Sequence, residues 1–498
     1  MYATGSVEAW LKIAAAQHAR SGGGMDSAVR RGRTMELGFE TIGNATLICY
    51  DRTPVLVTDP WIKGSAYFGS WALSHQIPDE QMNAIEKCEF VWISHGHPDH
   101  LSAESLQALN TKKFLIPDHI GGRIFNALQE WGYDVHILKD KVWTKLSDRI
   151  RVLSLCDYNQ DAALLIDING RLIINMNDGS ARGWTRFVQN IVKNYQISFY
   201  LRLHGYGDAD MINYFDEDGT RIPPDPPVCL LGPYIARDTE YFGAKFFIPF
   251  SSMHKYQRQD SAWAQQYSTP LADYAKGWDS KSSEILPAFI KYDCMNDTWE
   301  KINPPETSLI IREAREFGDD WEEQLDRSEL SVITQYFQAI HQLTKSLGFI
   351  NMRVGGKDNI IELNKKKFDR GITFEAPRHS LMLAIQYEIF DDMLIGNFMK
   401  TTLHGKLKSQ CPSLYPYFAP YVPKFADNGR AKSKKELRLY FKEYRKRTEN
   451  RRLFDLWLIQ KFDVQSKLLF RSYIPQESFI PQESFLYQTA KRAYRLLR

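Results

Sequence analysis

The chain contains no run of eighteen or more apolar residues, which excludes a helical membrane span. It has no C-x-x-C pair and only six cysteines in 498 residues, Cys49, Cys88, Cys156, Cys229, Cys294 and Cys411. Spaced so widely, they exclude a disulfide scaffold and read as buried thiols of a cytoplasmic protein. An excess of either charge is missing too, since 63 Lys and Arg stand against 60 Asp and Glu for a net +3. What is present is ordinary globular material, 43% hydrophobic and 25% charged, which excludes disorder throughout. Aromatic residues reach 13%, enough for a large core and for pockets lined by Tyr, Trp and Phe. The length exceeds one ordinary domain and fits two or three.

The small net charge averages unlike parts. Residues 430–452 carry eleven Lys or Arg against Glu436, Glu443 and Glu449, an excess of about +8. Taken from the overall +3, this leaves about −5 for everything else. Residues 1–34 hold Ser21-Gly22-Gly23-Gly24 and scattered arginines without an apolar signal core, and read as an unstructured leader or an Arg-rich transit peptide. Met35, just before the first strand pattern, is an alternative start. From 35 to 304 the pattern is rich in strands, expected at 45–50, 55–58, 89–94, 114–116, 150–154, 163–168, 172–175, 197–203 and 245–250. Helices are expected between them at 103–110, 121–131 and 183–194. Residues 305–430 read as a smaller α+β domain, with one amphipathic helix over 319–347 capped by Asp319 or Asp320, and strands at 360–363, 372–374 and 381–389. Residues 431–498 form a basic helical tail. It is interrupted where Ile474-Pro475-Gln476-Glu477-Ser478-Phe479 is copied at once as Ile480 to Phe485, a tandem duplication of the kind a surface loop tolerates.

The densest chemistry lies at Ser94-His95-Gly96-His97-Pro98-Asp99-His100, directly after the strand ending at Ile93. Three imidazoles and a carboxylate within six residues converge only if the backbone turns sharply, and Gly96 and Pro98 allow that. Imidazole nitrogen with carboxylate oxygen is the ligand set of zinc, iron or manganese.

These residues resemble the H-x-H-x-D-H motif of the metallo-β-lactamase fold superfamily, and the resemblance extends over residues 35–304. Thr58-Asp59-Pro60-Trp61 is similar to its early strand-end Asp, and 172–178, ending in Asp178, to the strand that carries its metal-bridging Asp. Residues 245–250 followed by His254 look like its last strand and terminal His. Within the superfamily the chain is similar to the branch containing ascorbate-6-phosphate lactonase and the metallo-β-lactamase-like part of CMP-N-acetylneuraminate hydroxylase. The resemblance implies an α/β fold, an αββα sandwich with two divalent metal ions in a groove at one edge. By this match His95 and His97 hold the first ion with one later residue, Asp99, His100 and His254 hold the second, and Asp178 bridges. The later ligand is usually His about 21 residues before the bridging Asp, and here that offset falls on Asp157. Asp157 either completes the site, shifting its preference from zinc toward iron or manganese, or merely closes a turn. His204 competes with His254 for the last position and otherwise lines the substrate pocket; Trp61 and His75 are further candidates there.

The implied activity is metal-dependent hydrolysis of an ester, lactone, amide or phosphoester, a sugar or sugar-nucleotide being one such small-molecule substrate, with Asp99 or Asp178 taking the proton. Oxygen activation at a di-iron form of the site is the rival. The hydroxylase also carries a Rieske centre, and no C-x-H with C-x-x-H occurs here, so electrons would come from another protein. For the basic tail three partners stay open: the acidic body itself, an anionic membrane, or nucleic acid. The oligomeric state is not legible.

Overall fold

The computed structural model describes residues 35–109, 112–179, 184–204, 211–224, 230–409, 412–415 and 417–447. The leader, the loop after His204, the hexapeptide repeat and the tail beyond 447 lie outside the described residues. Among the described residues no helix is long and apolar enough to cross a membrane.

Two mixed sheets lie face to face. One has eight strands in the spatial order Thr298–Lys301, Ile290–Asp293, Leu37–Ile42, Thr46–Asp51, Thr53–Thr58, Phe90–Trp92, Lys113–Pro117 and Asp134–Leu138. The other has seven, Glu284–Ile285, Phe246–Pro249, Ile197–Arg202, Arg171–Asn177, Ala162–Ile168, Ile150–Cys156 and Thr144–Lys145. Side chains that alternate along a strand face opposite sides of its sheet. Phe39, Leu47, Trp92, Leu164, Ile166, Ile173 and Phe199 thus fill the space between the sheets. Ile48, Val57, Val91 and Phe114 turn outward to meet Ile85, Leu106 and Leu128 from the helices Asp79–Lys87, Ala103–Ala108 and Arg123–Glu130. On the far side Leu165, Ile174, Met176 and Tyr200 meet Val188 and Ile235 from Thr185–Val192 and Leu231–Phe242. Strands covered on both faces read as nearly continuous apolar runs, as Ala162–Ile168 does.

A buried carboxylate clasps the two sheets at one end. Asp51 accepts from Arg149 Nη2 at 2.6 Å, Arg149 Nε at 2.9 Å and Ser147 Oγ at 2.7 Å. Burial alone would raise its pKa, but these donors win and hold it down at about 2. A depressed carboxyl stabilises above its unfolded pKa of about 4, and that contribution is lost as pH falls through about 2. Asp51→Asn is therefore expected to lower the urea midpoint at neutral pH, with the deficit shrinking as pH falls from about 5 toward 2. A deficit constant across that range would show that the charge is not what the clasp uses.

A third, five-stranded sheet runs in the order Tyr214–Phe215, Lys400–Gly405, Arg370–Glu375, Phe349–Val354 and Lys357–Glu362. Two expectations fail around it. Residues 381–389 are not a strand, for they fall largely within the helix Arg378–Tyr387, whose Leu381, Ala384 and Ile385 at helical spacing enter the core beside this sheet. The helix expected over 319–347 begins only at Arg327, after Asp326 and Glu329 form a reciprocal capping box, and it ends at Ala339. Asp319 does not cap that helix: its carboxylate is buried against the Arg258 guanidinium at 2.7 Å and accepts the Ser380 N–H, in the first turn of Arg378–Tyr387, at 2.9 Å.

The basic helix Lys434–Arg447 packs on the body through Tyr440 and Tyr444. Tyr440 donates to the Tyr158 carbonyl, and Gln160 Nε2 donates to Tyr444 Oη at 2.9 Å. Of the three partners considered for the tail, the described helix thus touches the body.

Candidate metal centre

Parallel strands end together, and here their C-terminal ends deliver the chemistry to one edge of the sandwich. Thr53–Thr58, Phe90–Trp92 and Lys113–Pro117 run parallel in the first sheet, and Arg171–Asn177, Ile197–Arg202 and Phe246–Pro249 in the second. The two sets are tied at that edge where Asn175 Nδ2 approaches Thr58 Oγ1 at 3.4 Å and Asn177 Nδ2 approaches Asp59 Oδ2 at 3.5 Å. The turn after Trp92 thereby faces the residue after Asn177.

Two groups of three donors form there, His95 with His97 and Asp178, and Asp99 with His100 and Asp178. His95 Nε2 and His97 Nδ1 stand 2.9 Å apart. His100 Nε2 lies 3.4 Å from Asp99 Oδ2 and 3.4 Å from Asp178 Oδ2. The same Asp178 oxygen is 3.9 Å from His95 Nε2, so it is common to both groups.

Surrounding residues fix these donors. Asp59 accepts the Ser94 N–H at 2.7 Å through one oxygen and faces His100 Nδ1 at 3.2 Å through the other, which leaves His100 Nε2 for the cluster. Ser94 Oγ holds His95 Nδ1 at 2.8 Å. Tyr67 donates to Asp99 Oδ1 at 2.6 Å and Asn44 to Asp99 Oδ2 at 2.8 Å, while Ser251 donates to Asp178 Oδ1 at 2.6 Å. Partners of this kind set tautomer and ring orientation in metal sites.

The electrostatics agree with a cation position. Burial disfavours the Asp99 carboxylate, yet His100 and the Tyr67 hydrogen bond hold its pKa well down. Burial also works against the His100 imidazolium, but Asp99, Asp178 and Asp59 push its pKa well up. His95 is driven well down by burial and then by its neighbours His100 and His97. Positive charge is thus favoured between Asp99 and Asp178, and a neutral donor at His95. His100 Nε2 is moreover a buried nitrogen without a formed hydrogen bond. The residues fit a pair of divalent ions in donor type, in charge and in this unpaired atom.

The structure with this architecture and this turn decides the fold. The two-sheet part, about half of the chain, has a metallo-β-lactamase fold. No family model matches the chain. The CMP-N-acetylneuraminic acid hydroxylase of Danio rerio is 31% identical over 132 residues, which are 25% of this chain and 22% of that protein. The chain therefore spans only about a fifth of the length of that relative. Among solved structures, the diiron β-hydroxylase CmlA from Streptomyces venezuelae superposes with a TM-score of 0.32 at 13% identity, over 45% of this chain and 46% of that one. A metallo-β-lactamase fold protein from Bacillus subtilis gives 0.30 at 10% identity, over 51% and 96%. Superpositions this loose add nothing to the chain's own sheets and motif.

The other expected site residues lie as follows. His254 is buried and stacked on Trp71, rings 3.4 Å apart and inclined by 6°. Burial lowers its pKa to about 3 against the charges of Asp99 and Asp178, and neither ring nitrogen is in good geometry with a partner. It borders the cluster as a neutral donor outside both groups of three. Asp157 closes a turn with one oxygen, accepting the N–H of Asn159 at 2.7 Å and of Asp161 at 3.3 Å. His204 faces Asp238 at 3.4 Å, beside Arg202 and Tyr200, and His75 bonds Ser74 and meets the Phe289 ring edge to face. Trp61 is fully buried with Tyr67 and Trp71. The structure does not bring His204, His75 or Trp61 to the cluster.

Sequence reasoning missed several residues that the fold adds. Asp161 is pushed well up by burial and then by Asp157, and its charge is also felt with those of His97 and Asp178. Asp391 Oδ2 reaches His97 Nε2 at 3.2 Å, and next to it Asp392 is raised by burial to about 7. Burial opposes charge on His97, but Asp391 outweighs it and lifts its pKa to about 9. Asp161 stands four residues from Asp157 and was within reach of a local search. Nothing local signals Asp391.

Proposed function

We propose that the protein is a dinuclear metallohydrolase whose ligands are His95, His97, Asp99, His100, Asp178 and His254, with Asp157 as the further carboxylate. The observation that carries this reading is the single Asp178 oxygen within 3.9 Å of both donor nitrogens, His95 Nε2 and His100 Nε2. Two bound divalent ions, zinc, iron or manganese, supply Lewis acidity and lower the pKa of water toward neutrality. The chain does the rest. Tyr67 and Asn44 lock the Asp99 carboxylate, and Ser251 leaves one Asp178 oxygen free toward the imidazoles. Asp99 or Asp178 takes the proton from the attacking water and returns it to the leaving group. The substrate is a small ester, lactone, amide or phosphoester, a sugar-nucleotide among them. Residues 35–304 form the catalytic body, 305–430 the accessory domain and 431–498 the tail.

One observation favours a second reading, oxygen activation at a di-iron centre. Asp161, itself under the charge of Asp157, feels the charges of His97 and Asp178, and carboxylates added to the imidazoles make a harder donor set that suits iron or manganese better than zinc. The sequence match to a hydroxylase points the same way. Metal analysis after growth in zinc-replete and in iron-replete medium, with turnover of aryl esters and phosphodiesters, separates the two. Tight zinc with hydrolytic turnover is the expected result. Iron with reductant-dependent oxygen uptake and no hydrolysis would replace it by the second reading. Asp157→Ala should bind fewer ions than the wild type; full occupancy of both positions would remove Asp157 from the ligand set.

A further inference from the structure

Each imidazole of the motif has one nitrogen toward the cluster and the other on a partner. His95 uses Ser94 and His100 uses Asp59, both supplied within the body. His97 differs. Its Nδ1 faces His95 Nε2, and its Nε2 lies 3.2 Å from Asp391 Oδ2, a residue 294 positions further along the chain.

Asp391 sits on the helix Phe390–Ile395, which follows the helix Arg378–Tyr387 and precedes the strand Lys400–Gly405 of the third sheet. This short helix is fastened to the body along its length. Arg123 Nη2 donates to the Tyr387 carbonyl at 3.0 Å, just before it. Ile395 packs among Trp61, Tyr67 and Trp71. Just after it, Ser70 Oγ donates to the Gly396 carbonyl, Trp263 Nε1 to the Asn397 carbonyl at 3.0 Å, and Asn397 Nδ2 to Tyr256 Oη at 3.1 Å. A short Asp side chain on a helix anchored at both ends has little freedom of position, unlike an ion pair between long surface side chains.

A neutral imidazole offers a lone pair on one nitrogen only when the proton is on the other. An acceptor at Nε2 of His97 therefore selects the tautomer whose Nδ1 lone pair points at the cluster. We propose that Asp391 is a positioning residue of the metal centre, and that the third-sheet layer completes the His95–His97–Asp178 group by orienting His97. The inference rests on the reading of that cluster as a metal centre. It makes the layer part of the site rather than an appendage.

Cobalt(II) titration of the full-length protein, followed by its visible spectrum with a competing chelator, tests this. Asp391→Ala should weaken one of two cobalt sites by about 10- to 100-fold, the usual range for loss of such a partner, and leave the other unchanged. Asp391→Asn keeps an acceptor oxygen without the charge and should fall between Ala and wild type. Unfolding temperatures of all three guard against a folding defect. Unchanged cobalt affinity in Asp391→Ala, or equal weakening of both sites together with a lowered unfolding temperature, overturns the inference. A wild type that binds no cobalt at the cluster overturns the metal-centre reading itself, and the inference with it.

Discussion

Asp178→Ala is expected to empty both metal positions at once, with affinity for each ion falling by more than about 100-fold, beyond the usual 10- to 100-fold cost of an outer partner. The argument is geometric. One carboxylate oxygen of Asp178 lies 3.4 Å from His100 Nε2 and 3.9 Å from His95 Nε2, so it belongs to both groups of donors. The other oxygen is tied to Ser251 at 2.6 Å and cannot be traded for the first. Removing any one imidazole should weaken mainly its own group. Removing Asp178 takes a negative charge from between His95 and His100 and strips the one donor common to both groups. Metal stoichiometry by mass spectrometry, in Asp178→Ala beside His100→Ala, makes the comparison. If Asp178→Ala keeps one ion at wild-type affinity, Asp178 serves a single position and the dinuclear reading fails. Turnover should fall with metal content in the same variant.

The second large effect is on stability. Arg258→Ala should cost about 3–5 kcal/mol, the range found when one partner of a buried ion pair is removed. The Arg258 side chain is fully buried. Its guanidinium meets Asp260 at 2.7 Å and Asp319 at 2.7 Å, donates to the Phe68 carbonyl at 2.9 Å, and lies 4.0 Å above the Phe398 ring. Asp319 is just as deeply buried and otherwise has only Ser380, through the backbone N–H at 2.9 Å and the hydroxyl at 2.5 Å. Deleting Arg258 leaves that carboxylate charged without a counter-ion. Arg258→Lys keeps the charge but loses the planar fork and the stacking, and should fall between. Urea unfolding measures both. A loss below about 1 kcal/mol would put this pair with ordinary surface ion pairs. Because Phe68 follows Tyr67, the same substitution should also loosen the hydrogen bond from Tyr67 to Asp99 and lower metal affinity in the folded protein.

Much of the fold was legible because its signals are local. Strands such as Ala162–Ile168 and Arg171–Asn177 announce themselves as short apolar runs between turns, and the cores on either face follow from alternation. The pattern was less secure in the third-sheet layer. There Leu381 to Ile385 is apolar enough to pass for a strand, and only packing of Leu381, Ala384 and Ile385 on one side made it a helix. The helix expected from 319 began late for a comparable reason, since an acidic residue that looks like a cap was taken by a guanidinium sixty-one positions earlier in the chain.

At the site, sequence alone determined which donors exist and where they fall along the chain. His95, His97, Asp99 and His100 share one turn, so their spacing survives in the sequence, and Asp178 follows a strand end. Tertiary structure decided how those donors are aimed. Asp391 at His97, the Trp71 ring against His254 and Arg258 beneath the Tyr67–Phe68 segment all join residues far apart in the chain. A hydrogen bond or a stacked ring depends on distance in space. It leaves no period or spacing behind, whereas a turn that carries four candidate donors writes its geometry into six consecutive residues.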